Sequence, residues 1–146
     1  MHHQHIDVRV PTTAGPDTVY ALLRDGATWP TWSPLGSFEL EAPANDEPEG
    51  VGAIRVFRTG RVTTRERIAE LVPNKRLSYQ LVSGLAIRDY RADVDVDTDA
   101  SATTIHWHST FRPKIPGTGW LYQRTLSRFI ERCANGLAAR AADPMA

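Results

Sequence analysis

The chain has 146 residues, and its 17 basic and 17 acidic side chains leave a formal net charge of zero. That length suits one domain with a real core, 1–146, and the balanced charge gives no general pull toward nucleic acid or an anionic membrane. A single cysteine excludes an internal disulfide, and zinc-site spacing is absent.

His3 to Val10 alternates, with Ile6, Val8 and Val10 on one side and His5, Asp7 and Arg9 on the other. This is a strand with one buried face. Pro16 and Asp17 suit a first helical turn, and Val19, Tyr20, Leu22 and Leu23 carry a short helix that stops near Gly26. Trp29-Pro30-Thr31-Trp32-Ser33-Pro34 then reads as a rigid aromatic elbow rather than a regular element.

Six further strands are expected. They are Ser37 to Glu41, Val51 to Arg58, Arg61 to Leu71, Arg76 to Ser83, Ala86 to Asp97 and Thr103 to Arg112. Short turns between them imply an antiparallel meander with one apolar and one charged face. The last segment, Thr118 to Ala142, places Tyr122, Leu126, Phe129, Ile130, Cys133 and Leu137 on one arc of a 3.6-residue wheel. Thr118 is positioned to cap this helix with its hydroxyl. The helix is the only element large enough to cover the apolar face of the sheet. Cys133 lies on the covered arc and reads as a small buried hydrophobe.

Several stretches carry a family resemblance. Trp29-Pro30-x-Trp32 follows the first helix. Glu66-Arg67-Ile68-x-Glu70-Leu71-x-Pro73-x-x-Arg76-Leu77-Ser78-Tyr79 spans two central strands and their turn. Gly84, the acidic strand to Asp97, Thr104-Ile105-x-Trp107 and Pro116-Gly117-Thr118-Gly119 complete the set. The chain resembles the START-like (SRPBCC) superfamily of polyketide cyclase/dehydrase and lipid-transport proteins. The resemblance covers nearly its whole length. It implies an α+β helix-grip fold in the order β-α-β6-α, with a seven-stranded curved antiparallel sheet wrapped around a long C-terminal helix. It does not choose among the aromatases, lipid carriers, hormone receptors and co-chaperones that share the fold.

Such a fold leaves a pocket between sheet and helix for a small hydrophobic or aromatic molecule. The strand phase, the helix arc and the tryptophan elbow give its expected lining: Trp32, Thr64, Glu66, Tyr79, Arg88, Tyr90, Trp107, Ser109, Tyr122, Leu126 and Phe129. Glu66 is the sharpest candidate, because an inward carboxylate loses hydration and its pKa rises. Arg88, in phase with Tyr90 and Ala92, is its expected cation. Glu66, Arg88 and Tyr90 are the candidates for proton transfer, although Glu66 reads equally as a rim residue or as half of a structural pair. Tyr79 and Tyr90 either orient a ligand or simply pack.

First and last strands are neighbours in the resembling fold, so His3, His5, His106 and His108 can approach one another. No carboxylate or cysteine pattern accompanies them, and neither a metal nor a cofactor is expected. Arg124, Arg128 and Arg132 read as a solvated stripe. Three functions follow: a binding or carrier protein, a polyketide cyclase/aromatase-like enzyme using Glu66 or a tyrosine, and a co-chaperone-type partner module. Binding is preferred, because few titratable groups face inward. The expected partner is the small ligand, with no nucleic acid and no membrane insertion. The chain is expected to be a monomer or weak homodimer. An amino terminus without a signal-peptide core points to the cytoplasm.

Overall fold

The structure is a computed structural model that describes residues 3–100 and 102–143. Strand β1 (Gln4–Thr12) leads into helix α1 (Pro16–Arg24), a 3-10 turn over Gly26–Thr28 and a single helical turn, α2 (Trp29–Trp32). Strands β2 (Ser37–Ala42), β3 (Ile54–Thr59), β4 (Val62–Val72), β5 (Arg76–Ser83), β6 (Ile87–Asp99) and β7 (Ala102–Pro113) follow, and helix α3 (Gly119–Ala142) closes the chain. The strands form one antiparallel sheet in the order β1-β7-β6-β5-β4-β3-β2. The expected helix-grip architecture is present.

The tryptophan elbow is more regular than its prolines suggest. Pro30 occupies the first turn of α2, where a missing N–H costs nothing. Its two indoles are then locked from within: Trp29 Nε1 donates to the Leu23 carbonyl at 3.0 Å, and Trp32 Nε1 donates to Thr28 Oγ1 at 3.1 Å. The elbow presses directly on α3. A Cβ at Gly136 would lie 1.7 Å from the Trp32 carbonyl oxygen, so only glycine permits this approach.

Helix α3 buries Ile130, Cys133, Ala134, Leu137 and Ala138 against the sheet. The expected cap is not made. The Thr118 hydroxyl donates to the Ile115 carbonyl at 2.6 Å, closing the preceding turn instead.

Bulges decide which residues face inward. Across β6 and β7, Arg88 pairs with Arg112 and Arg91 with Thr110, so Asp89 and Tyr90 together oppose Phe111. Asp89 takes a left-handed φ of 54° there. The strand phase slips by one residue. Ile87 and Tyr90 are both buried, and Arg88 is exposed. The expectation of an inward Arg88 is therefore overturned. In β4 an extra residue at Ala69 shifts the later half of the strand, sending Glu70 outward and Leu71 toward the core, while Glu66 keeps its inward phase.

Candidate functional site

A cavity of about 260 Å³ lies between the sheet and α3. Its inner wall is Phe57, Tyr79, Tyr90 and Ile130, all buried. Leu35, Leu81, Leu85, Leu126 and Phe129, all half-buried, flank it, while Thr59, Val62 and Thr125 are exposed at its rim. Polar groups are few. Thr64 and Glu66 come from β4, and the phenols of Tyr79 and Tyr90 come from β5 and β6.

Of the residues expected at the site, Thr64, Glu66, Tyr79, Tyr90, Leu126 and Phe129 line the cavity. Trp32 and Trp107 lie behind it in the aromatic core, where the Trp29 ring centroid is 4.8 Å from that of Trp32 in a tilted pair and 5.7 Å from that of Trp107 in an edge-on pair. Trp107 is fully buried and supports the wall, its Nε1 donating to the Tyr79 hydroxyl at 3.3 Å. Ser109 is buried beside the Tyr90 phenol. Tyr122 sits one turn too early on α3, where it packs half-buried against the core. Ile130, from the same apolar arc, also contributes to the wall.

Protein surrounds the Glu66 carboxyl, and the loss of hydration pushes its pKa up to about 7. The charge that opposes this shift comes from Arg55, not from Arg88. Arg55 lies directly across the β3–β4 ladder from Glu66. Its guanidinium is already engaged: Nη1 and Nη2 donate to the carbonyls of Leu23 and Arg24 at 3.0 and 2.6 Å, and Nε lies 3.0 Å from Glu49. The Arg55 side chain is 3% exposed and also packs 5.8 Å from the Trp29 ring centroid. Arg55 thus moderates Glu66 from a distance and gives it no hydrogen bond.

Sequence reading missed Arg55. The available signal was a lone cation inside the apolar run Ala53-Ile54-Arg55-Val56-Phe57. Such a residue is seldom buried without a partner.

Burial raises the Tyr79 and Tyr90 phenols and the Cys133 thiol above their ordinary values. All three remain protonated near neutrality, and Cys133 is no nucleophile. Glu66 is the cavity-lining side chain whose charge changes in that range.

The mouth depends on Gly84 between β5 and β6. Its φ is +120°, and a Cβ there would sit 2.3 Å from the Thr63 carbonyl oxygen. This close approach holds Leu85 at the cavity.

On the outer face, β1 pairs with β7 as expected, but the four histidines do not gather. His106 and His108 stack with ring centroids 4.3 Å apart. His5 lies opposite Thr110, and His3 precedes the strand. The guanidinium-bearing residues Arg124, Arg128 and Arg132 are exposed along α3.

A curved sheet gripping one helix around an apolar cavity is the architecture of START-like ligand-binding and cyclase-like proteins. Residues 3–142 match the family described as polyketide cyclase / dehydrase and lipid transport, and the chain belongs to that family. A START superfamily protein from Mycobacterium smegmatis superposes with a TM-score of 0.79 at 16% identity, covering 94% of this chain and 97% of the other. The protein XoxI from Bacillus cereus gives 0.79 at 15% identity, covering 98% and 99%. Major latex-like protein 151 from Panax ginseng gives 0.75 at 13% identity, covering 97% and 99%. At these identities the likeness is one of fold. No curated sequence matches the chain. Among the described residues, no helix is long and apolar enough to cross a membrane.

Proposed function

We propose that this protein binds a small, mostly apolar, aromatic-type molecule in the cavity between sheet and α3, and that Glu66 reads a polar group on it. The observation that carries this reading is the pairing of an apolar wall with one carboxyl of near-neutral pKa inside it. At about 260 Å³ the cavity lies just below the roughly 300–1,000 Å³ usual for small-molecule sites. That size suits a compact ring compound better than a long acyl or poly-ketone chain. Below neutrality Glu66 is protonated and can donate to a carbonyl; above it, the carboxylate accepts from a hydroxyl or amine.

A second reading, a cyclase-like enzyme, draws on the same Glu66. A group with a pKa near 7 is matched to proton transfer at neutral pH. The phenols around it stay protonated, so one carboxyl would have to give and take every proton. That economy favours binding over catalysis.

Native mass spectrometry of the protein isolated from its own host tests the proposal. The expected result is a retained small molecule whose occupancy falls sharply in Val62→Trp, a substitution at the exposed rim that fills the mouth. Equal retention by Val62→Trp would show that the molecule sits elsewhere.

A further inference from the structure

We propose that the outer face of the sheet carries a second site, for a zinc-type transition-metal ion, built from His106, His108 and Asp95. It lies on the side of the sheet opposite the cavity and is independent of the ligand reading above.

The period of two along β7 puts both imidazoles of His106-Trp107-His108 on the wet face. Their flanking strands each bring a carboxylate. Asp95 on β6 lies opposite His106, and Asp7 on β1 lies opposite His108. The contacts run diagonally. His108 Nε2 is 2.7 Å from Asp95 Oδ2, and His106 Nε2 is 3.2 Å from both Asp7 oxygens. One donor atom from each of Asp95, His106 and His108 lies within 4.8 Å of the others.

Zinc with ligands at about 2.0–2.2 Å in a tetrahedron needs donor atoms about 3.4 Å apart. Small side-chain rotations close that gap, since all three residues are only partly buried. Asp7 holds Nε2 of His106, which leaves Nδ1 for the ion. A carboxylate on the far ring nitrogen is the usual support of a metal-bound imidazole. Arg76 fixes the orientation of Asp95 with two bonds, Nε donating to Oδ1 at 2.5 Å and Nη2 to Oδ2 at 3.1 Å, so the ion would share Oδ2 with the guanidinium. Two imidazoles and a carboxylate select zinc, nickel or copper over magnesium or calcium, with water completing the shell.

Such an ion would tie β7 to β6 directly behind Trp107, the residue that braces Tyr79. An unoccupied ion-pair ladder along a wet sheet is the competing explanation of the same contacts, and the experiment separates the two.

The untagged protein is titrated with Zn²⁺, with Mg²⁺ as control, by calorimetry and by NMR of the histidine rings. The expected result is saturable uptake of one ion per chain, with the His106 and His108 ring signals moving and those of His3 and His5 still. His106→Gln and His108→Gln should each weaken binding about tenfold or more. Replacing His2, His3 and His5 together by Gln should leave it unchanged. Ring shifts in the wild-type protein need no variant to fold. Zinc uptake that survives both β7 variants, or that disappears with the amino-terminal histidines, overturns the proposal. So does zinc binding no stronger than that of Mg²⁺.

Discussion

Arg55 and Glu66 face each other across adjacent strands, yet the guanidinium is ion-paired with Glu49 and hydrogen-bonded to two backbone carbonyls while the carboxyl is left to the cavity. The two charges therefore share a field without sharing a hydrogen bond. This explains how a carboxyl can sit near a buried arginine and still titrate near neutrality.

The first prediction concerns pH. Glu66 has a folded pKa of about 7 against an ordinary 4.5. The folded state holds the proton more tightly, so this group's contribution to stability is full below about 4.5 and is lost as pH rises through about 7. At 1.36 kcal/mol per unit the upper bound is about 3 kcal/mol. Urea denaturation from pH 4.5 to 8 should show wild-type stability declining and Glu66→Gln nearly flat by comparison. Parallel profiles would mean that Glu66 is hydrated.

Arg55 should matter more for folding than for binding. Arg55→Leu leaves Glu49 without its ion-pair partner and the Leu23 and Arg24 carbonyls without their donor. Breaking such a buried arrangement costs about 3–5 kcal/mol. Removing the cation should also raise the Glu66 pKa further, which carboxyl-carbon NMR would read directly. An unmoved Glu66 titration would remove Arg55 from the site.

Glycine positions offer a graded test. Gly136→Ala meets the Trp32 backbone and should destabilise by about 3 kcal/mol. Gly84→Ala combines a left-handed φ with backbone contact at the cavity mouth and should cost a similar amount. Gly60, with φ +59° but open space, should cost only about 1 kcal/mol as alanine. Thermal unfolding of the three variants ranks them, and an equal ranking would contradict the close approaches described.

Cys133 should behave as packing. Its thiol is fully buried and held protonated by desolvation. A thiol reagent at pH 8 should therefore react only under denaturing conditions. Rapid labelling of the native protein would expose an unrecognised opening of α3.

Much of this was legible in the sequence. Alternation in β1, in β7 and in β6 from Tyr90 onward, and the wide apolar arc of α3, specify a one-faced sheet and its cover. Glu66 was legible for the same reason, because the register shift between Arg65 and Glu66 places its extra residue, Val82, on β5 and leaves β4 in phase from Val62, which also lines the cavity. Arg88 was misplaced because the extra residue at Asp89 shifts the phase, and no glycine marks that bulge. Trp107 faces inward as its phase requires, but depth along the sheet determines whether an inward residue meets core or cavity, and Trp32 on the elbow likewise meets core. Periodicity carries no information about depth. The carboxylates beside His106 and His108 depend on register across three strands, which a single chain pattern does not encode.

The central claim is that the cavity beside Glu66 is a binding site for a compact aromatic molecule. Its most direct test is a methyl and amide NMR titration with 2-naphthol, which carries a fused aromatic body and one hydroxyl. The predicted result is saturable shifts confined to Leu81, Leu85, Leu126, Ile130 and their neighbours, weakened in Glu66→Gln. Shifts that do not saturate, or that fall on the outer surface of α3 instead, would contradict it.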